Sequence, residues 1–110
     1  MVDPTIIGFG DLTVSQDDKS NLRLLCDATG TPTPKITWSH NGKGLDKLPA
    51  IDGIARCKDL RRGIYRHKVR DNVLIICRLN YIQHAGLYTC RADNTLSWVT
   101  EKMTLTVTGN

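Results

Sequence analysis

What this 110-residue chain lacks narrows its class before any motif is read. Nowhere does it approach the 18 consecutive apolar residues of a transmembrane helix, so direct membrane insertion is not expected. The opening MVDPTIIGFG has no basic stretch leading into a long apolar run. It is not a signal peptide, and Met1 is expected to open a domain cut from a longer or processed chain. No two of its cysteines stand two to four residues apart, and His40, His67 and His84 do not cluster near them, which argues against zinc. There is no Gly-x-Ser-x-Gly elbow, no phosphate-cradling glycine loop and no paired-carboxylate constellation. An enzyme is therefore not expected, nor a cofactor. The few aromatic residues form no stacking series, so nucleic acid is not an expected partner. An Asn-x-Ser/Thr sequon is absent too, which is unusual for a secreted domain.

What is present fits one soluble domain over residues 1–110, long enough for a real core but not for two. Four cysteines in so short a chain suggest two disulfides and an oxidising compartment. They admit three pairings, and counting alone does not choose among them.

The run from Pro4 to Val14 alternates loosely and ends in a polar turn over residues 16–20. Leu22, Leu24, Cys26 and Ala28 repeat at period two, which predicts a half-buried strand broken by Gly30-Thr31-Pro32-Thr33-Pro34. Ile36 and Trp38 alternate inward on a further strand that Asn41-Gly42 closes as a turn. Residues 43–70 are the least regular stretch, since Pro49, Gly53 and Gly63 oppose a long strand. Strand character resumes at Val73–Cys77. It returns at 86–94, where Tyr88, Cys90 and Ala92 share a face, and at 99–107, where Val99, Met103, Leu105 and Val107 point inward with Glu101 the polar exception. No helical period is sustained. Many short strands with frequent turn signals predict an all-β sandwich.

The stretch Gly30-Thr-Pro-Thr-Pro-Lys-Ile-Thr-Trp-Ser-His-Asn-Gly42, with Ala85-Gly86-Leu87-Tyr88-Thr89-Cys90 later, resembles immunoglobulin domains of the I-set type. The resemblance covers essentially the whole chain and implies an immunoglobulin-like two-sheet Greek-key sandwich. It implies that Cys26 and Cys90 are bonded, that Trp38 lies buried between the sheets, and that the Tyr88 hydroxyl ties down the corner before Cys90. Two departures stand out. The family's aspartate six residues before the second cysteine is here His84, so its usual ion pair is absent or replaced; beside a basic neighbour, protonation of His84 would weaken the corner, but an exposed histidine without consequence is the expectation. The turn after the Leu74/Ile76 strand also carries one extra residue, so Leu79 joins the inward set only if that turn is longer by one.

With Leu74 and Ile76 inward, alternation sends Val73, Ile75 and Cys77 to the outer face. Cys57 is expected in a segment alongside this strand, and a Cys57–Cys77 bridge is expected in preference to free thiols. Val73 and Ile75 then form an outer patch or lie under the middle segment. The bridge encloses most of a basic cluster: Arg56, Lys58, Arg61, Arg62, Arg66, Lys68 and Arg70 against Asp59 alone, a charge of +6 in fifteen residues. The whole chain carries +4, so the remainder is −2. A dense positive surface suits a polyanion such as heparan sulfate, or an acidic protein patch; a solvated face is the plainer reading. Trp98 projects outward near the start of the last strand as an interface anchor, or turns down to cover the sandwich end.

These features, with the resemblance, imply an extracellular recognition module of an adhesion molecule, receptor ectodomain or small secreted protein. Its partner would be a protein at the cell surface or in the matrix, heparan sulfate, or a second copy of the chain as a homodimer. The alternative is a structural spacer of an intracellular muscle protein of the titin or twitchin kind, with reduced cysteines.

Overall fold

The computed structural model describes residues 1–17, 21–45, 47–70 and 72–109. Residues 18–20 of the expected polar turn lie outside them. Among the described residues eleven strands follow one another: β1 (Val2–Ile7), β2 (Leu12–Ser15), β3 (Leu22–Leu25), β4 (Asp27–Thr31), β5 (Lys35–His40), β6 (Lys43–Gly44), β7 (Ala50–Ile51), β8 (Gly63–His67), β9 (Val73–Cys77), β10 (Gly86–Asp93) and β11 (Trp98–Thr108). A six-residue 3-10 helix, Ile54–Asp59, lies between β7 and β8.

The strands make two facing layers. One sheet runs in the order β2-β11-β10-β5-β6, with β2 parallel to β11. The other runs β3-β9-β8-β7, while β1 pairs antiparallel with β4. The single strand expected through Ala28 is divided at Cys26: β3 pairs with β9, and after Cys26 the same run pairs with β1. The strand also reaches Thr31, past the expected break at Gly30, because Thr31 still has Val2 opposite it and the first proline comes only at 32. The stretch 4–14 is two strands, since Gly8 at φ 72 turns the chain between sheets.

Alternation decides the core. Leu22, Leu24, Cys26, Ile36, Trp38, Leu74, Ile76, Tyr88, Cys90, Met103, Leu105 and Val107 are all buried in one cluster between the layers. Cys26 and Cys90 are bonded through it, and Trp38 sits opposite Cys90 in register with Phe9 edge-on at 5.7 Å. Asn41 and Gly42 close the β5–β6 turn at φ 51 and 84, and the Asn41 side chain then accepts the Leu87 N–H at 2.9 Å. Gly86 must be glycine, because a Cβ there would collide with that Asn41 amide and its φ is 128.

The extra residue after β9 is taken up by Arg78, whose φ of 57 lies in the left-handed region that favours glycine. This single kink resets the alternation, so Cys77 faces out while Leu79 returns to the core. Beyond it the Tyr88 hydroxyl donates to the His84 carbonyl at 2.6 Å and forms the expected corner.

The expectation for His84 itself is overturned. It is 2% exposed, and its Nδ1 accepts the Asn80 N–H at 3.0 Å. The imidazole thus serves as a buried acceptor within the corner. An acceptor at Nδ1 must be unprotonated, and burial first, then the nearby Arg62 and His40 charges, push its pKa down to about 4. His40 stacks on Tyr88 at 4.3 Å and donates Nε2–H to the Ala85 carbonyl at 2.9 Å. Burial likewise pushes the Tyr88 hydroxyl above its ordinary range.

Candidate interaction surface

The outer face of the β3-β9-β8-β7 sheet carries the second cysteine pair. Cys57 and Cys77 are bonded, and both are buried. Cys57 does not run alongside β9 as a strand; β8 takes that place, and Cys57 sits on the 3-10 helix laid across the outside of β9. Val73 and Ile75 form no exposed patch. They lie under this strap in a second small core with Ile51, Cys57 and Cys77, flanked by Ile54, Leu60 and Tyr65. β9 is therefore buried on both faces, which explains its unbroken apolar run.

The strap is braced by backbone carbonyls. Arg78 donates from Nε to the Leu60 carbonyl at 2.9 Å and from Nη2 to the Lys58 carbonyl at 3.3 Å. Arg62 Nε donates to the Arg78 carbonyl at 2.7 Å, and the Tyr65 hydroxyl donates to that of Arg61 at 2.8 Å. Arg66 Nε donates to the Leu48 carbonyl at 2.9 Å. Lys68 stands 3.9 Å from Asp52, with both side chains well exposed. Arg70 borders a hollow with Pro34, Ile36 and Val69. The seven clustered cations are thus brought onto one layer but spread along it, and Lys68 meets Asp52, a carboxylate from outside the run. Arg78 was missed from sequence because it lies outside the charged run; the extra residue in the turn after β9 was the signal that marked it.

Trp98 is on the opposite layer and is 58% exposed, so it projects outward rather than covering the sandwich end. The Arg91 guanidinium lies 4.5 Å over its ring and pairs with Asp93 at 3.3 Å. Beside them an open groove of about 660 Å³ is lined by Pro32, Lys35, Thr37, Arg91, Asp93 and Asn94. Among the described residues no group of three His, Cys, Asp or Glu side chains is arranged to hold a metal ion.

Comparison with known proteins agrees with this architecture. The immunoglobulin domain model matches residues 4–94. The chain is 33% identical over 78 residues to Protein vein of Drosophila melanogaster, covering 69% of this chain and 10% of that protein. It is 31% identical over 75 residues to the Xenopus laevis protein Cell adhesion molecule-related/down-regulated by oncogenes, covering 68% and 5%. The structure of titin domain M7 superposes with a TM-score of 0.68 at 26% identity, covering 97% of this chain and 95% of that one. The chain spans a tenth or less of the length of the curated relatives it matches. A match of that extent, on a sandwich pinned by Cys26–Cys90, has one meaning: the chain belongs to the immunoglobulin domain family.

Proposed function

We propose that the chain is an extracellular recognition module of the I-set kind that binds a polyanionic partner through the cationic strap. It works by surface complementarity and not by catalysis. The observation that carries this reading is the strap itself, a basic segment fastened to the outside of the sheet by a second disulfide. Two buried disulfides suit an oxidising compartment, and a relative whose name speaks of cell adhesion supports the same location. Trp98, exposed on the other layer, is the anchor for a protein partner in this reading.

Affinity for a sulfated chain tests it. The protein should elute from immobilised heparin at higher NaCl than from a sulfonate cation exchanger of matched charge density. Elution at equal or lower salt refutes polyanion recognition and leaves only net charge.

The likeness to titin domain M7 favours a second reading, an intracellular spacer. Thiol titration of protein purified without reductant separates the two: no reactive thiols supports the first, and four after mild denaturation supports the spacer.

A further inference from the structure

The strap's cations divide into two groups with different surroundings. A 3-10 helix advances about 120° per residue, so with Cys57 turned down onto Cys77, Arg56 and Lys58 fall on opposite flanks. Arg56 shares a hollow with Ala50, Asp52 and Lys68, and that flank holds its own counter-charge in Asp52.

The other flank is a knot. Arg78 reaches the carbonyls of Lys58 and Leu60, Arg62 reaches the carbonyl of Arg78, and Tyr65 fixes that of Arg61. These bonds tie together the backbone of Lys58, Leu60, Arg61 and Arg78 beside the Cys57–Cys77 bridge. Among the described residues the side chains of Lys58 and Arg61 make no hydrogen bond or ion pair. Each guanidinium has five N–H donors, of which Arg78 spends two and Arg62 one on these carbonyls. The acids nearby are Asp59 and Asp17, the latter lining a hollow with Arg62 and Arg78, and among the described residues neither forms an ion pair. Such braced guanidinia lose little freedom on binding and match tetrahedral oxyanions bidentately.

We propose that Lys58, Arg61, Arg62 and Arg78 form a binding site for the sulfate groups of a sulfated polysaccharide, with Arg56, Arg66, Lys68 and Arg70 outside it. This rests on the polyanion reading above and assigns it a location. A polysaccharide is the occupant because, among the described residues of 54–67 and at 78, no large hydrophobic side chain is exposed as the anchor a protein interface needs. Arg78, which stands outside the basic run, belongs to the site.

Two charge-matched double variants test the location on the whole chain. K58E/R61E removes two knot cations and R56E/R70E two others; all four side chains are unpaired among the described residues, and each variant changes net charge equally. Heparin affinity is measured against NaCl concentration, with nonreducing thiol titration confirming both disulfides. K58E/R61E should lose at least tenfold in affinity, and the slope of log K against log salt should fall by about two contacts, by counterion release. R56E/R70E should lose less than threefold. Equal losses overturn the location while leaving polyanion binding intact. No heparin binding by the unmodified protein overturns the function itself, and retention on poly-glutamate but not heparin overturns the sulfated class.

Discussion

Acid should loosen the tyrosine corner through His84. Its folded-state pKa of about 4 lies below the ordinary 6.5 first because the ring is buried and then because Arg62 and His40 oppose its charge; its Nδ1 accepts the Asn80 N–H. The unfolded chain therefore takes up a proton that the folded chain refuses. Stability is fully present above pH 6.5 and is lost as pH falls from there toward 4. The shift is worth about 3 kcal/mol over the whole window, and about 2 kcal/mol of that has gone by pH 5. The groups facing the ring are Arg62 and His40, both of which disfavour a second positive charge. Urea unfolding of the native chain and of His84→Gln at pH 7.5, 6 and 5 isolates the effect, because the two proteins differ at this one side chain. Glutamine keeps an acceptor but has no proton to gain, so the variant starts less stable and its curve should be flatter by about 2 kcal/mol between pH 7.5 and 5. Parallel curves would show that His84 is not the group responsible.

Replacing Cys57 and Cys77 by alanine should cost about 3 kcal/mol for opening a loop of this length, seen as a lower urea midpoint without reductant. A change under about 1 kcal/mol would mean that the bridge contributes little beyond the packing of the second core. At Arg78, alanine keeps the left-handed strain while glycine relieves it, and both lose the two strap hydrogen bonds. Arg78→Gly should therefore be more stable than Arg78→Ala by about 1 kcal/mol, and the reverse order would refute the strain argument. Tyr88→Phe leaves the His84 carbonyl without its buried donor and should lower stability by about 1–3 kcal/mol in the same assay. Trp98→Ala gives up an exposed stacking contact with Arg91 and should change stability by less than about 1 kcal/mol, so a larger loss would mark Trp98 as structural.

Much of the frame is legible because alternation at period two is a local property. Leu22/Leu24, Ile36/Trp38, Leu74/Ile76 and Met103/Leu105/Val107 each declare their inner face without reference to the rest. The same parity places Cys77 outside; with Cys26 and Cys90 paired as the family resemblance implies, it makes a bridge to Cys57 the favoured expectation, and the bond is present. What parity does not carry is shape between strands. Nothing local to Ile54–Asp59 distinguishes a 3-10 strap from an irregular strand, since its placement depends on covering Val73 and Ile75. His84 was misread for a related reason: its burial comes from Tyr88, Asn80 and Arg62 closing round it, contacts that no neighbouring residue announces. The charged run is an exact count and a poor map. Its members part company across the strap, and Arg78 joins them from another segment.

A strand buried on both faces has a mechanical meaning. β9 is hydrogen-bonded on one side to β3 and on the other to β8, with a core beneath it and a smaller one above. Its last residue, Cys77, carries the covalent link to the strap. A load applied to the strap passes through sulfur into the end of a strand that is paired on both sides. Displacing β9 breaks a row of backbone hydrogen bonds on each side of it. The β9 amides should therefore exchange with solvent only as the whole domain unfolds.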